Sequence, residues 1–173
     1  MESRRLLELA GGSPKGEGRL ERIVVRLPGG KRRALSEAEL SAERGVAGDR
    51  WSLDPGADPA KQVSLINARF LAAISGASGR QDLSGDNLVV DLDLHEANLP
   101  RGTRLRIGQA LLEVTAHPHT GCSRFERFYG KPANELVKSP AGMAQRLRGL
   151  YARVIEAGTA RVGDRARKEG AAP

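Results

Sequence analysis

The chain is poor in cysteine, in aromatic residues and in long apolar runs. Its 173 residues include one cysteine, Cys122, so no internal disulfide is possible. That usage suits a reducing compartment, and a cytoplasmic protein is expected. Three Phe, two Tyr and one Trp are too few for the rows of stacking platforms that bind single-stranded nucleic acid. Helix-turn-helix and zinc-finger patterns are missing too, and nucleic acid is not an expected partner. No apolar run approaches the ~20 residues of a membrane span, so no membrane partner is expected. The opening "MESRRLLELAGG" has no long apolar h-region and is not read as a signal peptide. Walker A, GxGxxG and Ser/His/Asp patterns are also missing, and pyridoxal phosphate is not an expected cofactor.

What is present is basic and rich in turns. Lys and Arg number 28 against 21 Asp and Glu, a formal charge of +7, and the cations are spread along the chain. Such a balance attracts anions and suits a basic pocket for a phosphate-bearing small molecule. Short apolar stretches are separated by Gly, Pro and Asp: "RIVVRL" at 22–27 with "RRAL" as a hairpin partner, "QVSLIN" at 62–67, and "NLVVDLDL" at 87–94. The clearest hairpin lies in "LPRGTRLRIGQALLEVT". There Leu105 and Ile107 alternate with Arg104 and Arg106, and "GQ" makes the turn. Two more strands are expected around Gly158. Asn67 is placed to cap a helix "ARFLAAIS" with Phe70, Leu71 and Ile74 on one face, and "SRFERFYG" and "PANELVKS" read as short helices. These signals predict a mainly β fold with short helices, a β-barrel or strongly curved sheet. Residues 1–20 read as a flexible N-terminal arm in which "RRLLELA" makes a turn or two of helix. Residues 21–167 read as the barrel domain, and residues 168–173 as a disordered tail.

The stretch that invites chemistry is "HPHTGCSRFERFYG", residues 117–130. Cys122 follows His117 and His119 and precedes Arg124 and Arg127, and cations near a thiol favour the reactive thiolate. Free cysteine is also a common space-filling core residue, and both readings stand. A metal site from His117, His119 and Cys122, with His95 as a fourth ligand, is the second alternative, although the spacing is none of the usual zinc patterns. Of the two other histidines, His119 is expected nearer to the sulfur than His95. In "GVAGDR", residues 45–50, two glycines let the backbone approach a ligand or make a tight turn; Asp49 accepts hydrogen bonds and Arg50 binds anions. "SGDN", residues 84–87, is a similar turn.

Taken in order, "GVAGDR", "SGDN", "LPRGTRLRIGQALLEVT", "HTGC" and "RGLYARVIEAGTARVGD" resemble the MOSC domain, the family named for the C-terminal domain of molybdenum cofactor sulfurase. The likeness runs from about Arg22 to Arg167 and is to stand-alone bacterial members, which lack the N-terminal β-barrel module that several relatives use to hold the pterin. It implies a β-barrel like the β-domain of pyruvate kinase with short helices around it. It also implies that Cys122 is the functional cysteine. In members that bind molybdenum cofactor the equivalent cysteine ligates the metal; in others it is proposed to carry sulfur as a persulfide. The family's GxxGDR element falls on Gly45, Gly48, Asp49 and Arg50. Its GEN element falls on Gly85, Asp86 and Asn87, and its basic residue before the "SLI" strand on Lys61. Gly121 stands where many members have proline, and Asp86 where they have glutamate. The resemblance therefore implies molybdenum cofactor (Mo-pterin) as the cofactor, with Cys122 as catalytic residue and metal ligand. Gly48, Asp49, Arg50, Lys61, Asn87, His119, Thr120 and Arg124 would bind the cofactor. The activity implied is reduction of N-hydroxylated compounds, with a redox protein as partner. Sulfur carriage on Cys122, supplied by a sulfur-donor protein, is the alternative. A non-catalytic small-ligand module with a buried cysteine is the third reading.

Overall fold

The computed structural model describes residues 3–171. In chain order the elements are α1 (Ser3–Gly11), β1 (Glu17–Arg26), β2 (Arg32–Leu35), β3 (Glu37–Ser41), β4 (Gly45–Val46), β5 (Val63–Asn67), α2 (Ala68–Ser75) and β6 (Leu88–Asp91). Then come β7 (Thr103–Ile107), β8 (Ala110–Val114), α3 (Ser123–Tyr129), α4 (Lys131–Lys138), α5 (Pro140–Ala144), β9 (Leu150–Glu156), β10 (Gly158–Arg161) and β11 (Arg165–Ala171).

Seven strands close on themselves in the order β1-β11-β7-β8-β9-β5-β6 and back to β1, with β2 added beside β1. Only the β5–β6 pair in this sheet is parallel. Closure gives each of the seven barrel strands a partner on both sides, and β2 presents an outer edge. A small sheet, β10-β3-β4, lies alongside. The barrel is therefore the mainly β fold that the turn-separated alternation predicts. In β7, Leu105 and Ile107 point into the core while Arg104 and Arg106 do not, as their alternation requires.

Two apolar clusters hold the structure. The first fills the barrel with Leu20, Ile23, Val25, Leu65, Leu88, Leu105, Ile107, Leu112 and Val154. The second packs the helices on the outside of β5 and β6, through Ile66, Val89, Phe70, Leu71, Phe125, Leu136 and Val137. β5 lies between them, which is why all five of its residues are buried.

The two chain ends differ from the expectation of a loose arm and tail. Leu6 and Ala10 of α1 are buried in the outer cluster, and Leu20 is fully buried in the barrel. β1 begins at Glu17 and pairs with both β11 and β6, so the residues read as an arm form the strand that closes the barrel. Its charged residues disguise it, because only part of each strand face is buried. β11 continues to Ala171, with Lys168 opposite Leu105 and Gly170 opposite Arg104. Of the expected tail, only residues 172–173 lie outside the described residues. The two strands expected around Gly158 are β9 and β10; the third strand, β11, and the helix α5 go beyond the expectation.

Asn67 ties the two layers together. Its Oδ1 accepts a hydrogen bond from the Phe70 amide at 2.9 Å and so caps α2, as expected from its place before the helix. Its Nδ2 donates to Ser13 Oγ at 2.8 Å and to the Leu92 carbonyl at 3.0 Å. Asn67→Ala should therefore cost about 2–4 kcal/mol. A lost cap is worth about 1 kcal/mol, and an orphaned buried carbonyl costs another 1–3 kcal/mol. Urea unfolding of the variant against wild type measures this, and a loss under 1 kcal/mol would refute it.

Candidate functional site

The ends of β1 and β8 and the beginnings of β5, β6 and β9 meet at one end of the barrel, and a cavity of about 310 Å³ lies there. Cys122 lines it, together with Arg26, Arg32, Arg50, Lys61, Arg124 and Arg148. No carboxylate is in its lining. Arg26 and Arg148 are paired with buried carboxylates behind the wall, while Arg32, Arg50, Lys61 and Arg124 have no ion pair among the described residues, and an oxyanion is their natural counter-charge.

The thiol is exposed and sits at the head of α3. Its backbone carbonyl accepts the Glu126 amide at 3.0 Å, while its side chain makes no capping bond. Gly121 lets the loop reach this place. A Cβ there would collide with Asn134 Oδ1 and come within 2.8 Å of Val137 Cγ2, both on α4. Glycine before the cysteine is thus required by the close packing of α4 beneath the loop.

A buried cluster fixes the rest of that loop. His119 Nε2 lies 2.8 Å from Asp86 Oδ1, and Arg148 Nη1 donates to Asp86 Oδ2 at 2.7 Å. Arg148 Nη2 donates to the Ser84 carbonyl, and its guanidinium stands 4.9 Å over the Phe125 ring. The His119 ring stacks on Tyr151 with centroids 4.3 Å apart. Burial pushes the Asp86 carboxyl up, but Arg148 and His119 outweigh it and hold the pKa down at about 2. His119 itself is shifted down, by burial first and then by the Arg148 charge, against the pull of Asp86. The imidazole is therefore neutral at pH 7. Because an ionised carboxylate only accepts, the proton sits on Nε2 and is donated to Asp86.

Asp49 and Asn87 lie behind the cavity wall. Asp49 accepts from the Arg26 amide, from Arg26 Nε and Nη2, from the Trp51 amide and from Asn87 Nδ2. Burial works against its ionisation, but the bonds and charge of Arg26 hold its pKa down. Asn87 bonds to Ser64 and to the Val24 carbonyl. The pair aims Arg26 at the cavity. Arg32 is left short of partners: its Nε is buried without one, and burial together with the charges of Arg124, Arg50 and Arg26 lowers its pKa.

Of the residues expected at the site, Cys122, Arg50, Lys61, His119, Thr120 and Arg124 line the cavity. Asp49 and Asn87 support it from behind, and neither they nor Gly48 line it. Gly48 is exposed in its turn with φ +91°, and Arg127 is exposed outside the lining. His119 shares the cavity with Cys122, whereas His95 lies elsewhere and accepts the Ala97 amide on Nδ1. The His/Cys metal site does not assemble: among the described residues no group of three or more His, Cys, Asp or Glu is placed to hold a metal ion. Sequence reasoning missed Arg26, Arg32, Arg148 and Tyr151. Their signal was weak, since arginines in strands resemble a solvated face.

A closed seven-stranded barrel carrying a cysteine in a cationic end cavity defines a small, mainly β protein with short helices. The chain belongs to the MOSC domain family, whose model matches residues 52–167. Among solved structures, it is similar to YiiM from Geobacillus stearothermophilus, at 17% identity and TM-score 0.62 over 87% of this chain and 74% of that one. It is also similar to YiiM from Escherichia coli, at 20% identity and TM-score 0.56 over 87% and 69%. The YuaD protein from Bacillus subtilis matches at 14% identity and TM-score 0.57 over 87% and 94%. At these identities the likeness is one of fold. No curated protein matches in sequence. Among the described residues no helix is long and apolar enough to cross a membrane.

Proposed function

We propose that this MOSC protein binds molybdenum cofactor through the Cys122 thiolate and reduces N-hydroxylated compounds in the cytoplasm with a redox protein as electron donor. The observation that carries this reading is an exposed thiol sharing one cavity with six cations and no carboxylate. The residues fit the group. A phosphate-bearing pterin needs fixed cations, which Arg26, Arg50, Lys61 and Arg124 offer, and the unpartnered Arg32 Nε is a further donor. A thiolate is a suitable ligand for the metal, and Cys122 would supply it. When bound, the cofactor supplies two-electron redox chemistry. The chain's own residues bind and orient: Asp49 holds Arg26, and Asp86 with Arg148 holds His119 in the tautomer that leaves Nδ1 as an acceptor.

A second reading is favoured by the exposure of Cys122 and its lack of a capping bond. In it, the Cys122 thiolate attacks the outer sulfur of a donor protein's persulfide. A new S–S bond forms on Cys122 and the donor thiolate leaves.

The test is anaerobic mixing of the protein with molybdenum cofactor, then desalting and assay of bound molybdenum and pterin. Wild type should retain both, and Cys122→Ser should retain at least about tenfold less metal, one lost ligand being worth that much or more. Equal retention by the two would overturn thiolate ligation. No retention by either would move the assignment to sulfur carriage, read as a mass gain of one sulfur on Cys122 after incubation with a cysteine desulfurase and cysteine.

A further inference from the structure

The thiol cavity adjoins a second one of about 450 Å³. The two share Arg26, Arg50, Lys61 and Tyr151 in their walls. An anion held by those three cations therefore borders both chambers. On its own side the second chamber has Trp51, Asp54 and Asp58.

The Trp51 indole is fixed in place. Its Nε1–H donates to the Asp58 carbonyl at 3.1 Å, and its amide to Asp49 Oδ2 at 3.0 Å. Asp54 and Asp58 each spend one carboxylate oxygen on a turn: Asp54 Oδ1 accepts the Gly56 amide and Asp58 Oδ1 the Ala60 amide, both at 2.9 Å. Their Oδ2 atoms have no partner among the described residues. Neither carboxylate forms an ion pair with Arg50 or Lys61, although all four line the chamber. The turns thus hold opposite charges apart in one cavity, where a ligand can meet both.

Such a chamber asks for three things: an anionic group at the shared cations, a planar ring beside Trp51, and N–H donors for the free carboxylate oxygens. Inorganic phosphate meets only the first. An aromatic carboxylate meets two but offers nothing to Asp54 and Asp58. A nucleoside phosphate meets all three, because amino-bearing bases present N–H donors on one edge and stack on aromatic side chains. We infer that the ligand whose phosphate lies at Arg26, Arg50 and Lys61 carries a nucleoside, with the base in the Trp51 chamber. The inference rests on the reading of the thiol cavity as an anion site. The same chemistry has two sources, a free nucleotide or a nucleotide joined to the pterin cofactor.

Calorimetric titration of the full chain with GMP and with ribose 5-phosphate tests it. GMP should bind at least about tenfold tighter, the worth of one good base-edge contact. In the D54N/D58N double variant asparagine keeps the turn-making oxygen, so the loop should hold. The ratio of GMP to ribose 5-phosphate affinity should then fall to about one, because any gain in phosphate affinity from the two lost negative charges is shared by both probes. Equal affinity for the two probes in wild type would overturn the inference, as would a GMP preference that survives D54N/D58N. Either result leaves the anion reading intact. Failure of both probes to bind would sink the anion reading and the inference with it. Loading with pterin cofactor that ends in a phosphate or in a nucleotide separates the sources. Stronger retention of the second form assigns the chamber to an appended nucleotide, and equal retention, with GMP still preferred, to a free one.

Discussion

Asp86→Ala should cost about 3–5 kcal/mol of folding stability, because it leaves the Arg148 guanidinium buried without its counter-charge. Both side chains are nearly inaccessible, and they meet at 2.7 Å. Repulsion from the other cavity cations then acts on Arg148 unopposed. The same carboxylate should give the fold an acid sensitivity whose sign is fixed. Its pKa in the folded protein is about 2, against an ordinary 3.8, so ionisation stabilises the native state. That contribution, on the order of 2 kcal/mol, is present above pH 3.8 and is lost as the pH falls through about 2. His119 works in the same direction at higher pH. Its pKa is depressed, so the unfolded chain takes up a proton first as the pH drops below the ordinary histidine value. Urea unfolding of wild type and Asp86→Ala from pH 7 to pH 2 checks both points. The gap between them should be fully present down to pH 3.8 and narrow only below it. Equal stability at pH 7 would mean that the buried cluster is not the support assigned to it.

The barrel was legible in the chain because its hairpins alternate cleanly and its turns carry Gly, Pro and Asp. The α2 cap was legible because Asn67 stands before an apolar period. The half of the cavity that comes from the cysteine loop and the 50–61 loop could also be read, since Cys122, His119, Arg50 and Lys61 cluster in short motifs. The other half could not. Arg26 and Arg32 come from β1 and β2, Tyr151 from β9 and Arg148 from the turn before β9, and only barrel closure brings them together. In a strand, an arginine facing a cavity and one facing solvent have the same neighbours in sequence. Asp86 was legible as part of a turn, but its burial depends on Arg148, 62 residues away. The first half of β1, ahead of the strand read at residues 22–27, was hidden for the opposite reason. Its first residues are charged on the side that faces water, and they read as a linker until β11 and β6 are in place to pair with them.

Gly149 joins fold and site, and Gly149→Ala should be the most damaging small substitution near the cavity. Its φ is +107°, in the region that favours glycine. A Cβ there would collide with the Leu65 carbonyl of β5 and stand 3.4 Å from the His119 ring. The neighbouring residues Leu65 and Leu150 are paired across β5 and β9, so the strands cannot part without opening the barrel. Backbone strain of this kind costs about 1–3 kcal/mol, and overpacking against a fixed carbonyl adds about 1–3 kcal/mol. The thermal midpoint should fall by roughly 5–15 °C for a chain of this size. What survives should be altered at the site as well as in the barrel, because relieving the clash with the Leu65 carbonyl shifts residue 149, which packs against the His119 ring. On the proposed cofactor reading, retention of molybdenum cofactor should therefore drop in Gly149→Ala at temperatures where circular dichroism still reports a folded barrel. An unchanged melting temperature would show that β5 and β9 do not pack as closely as described. A destabilised variant with full cofactor retention would instead separate His119 from the binding function and leave Cys122 and the cations to account for it alone.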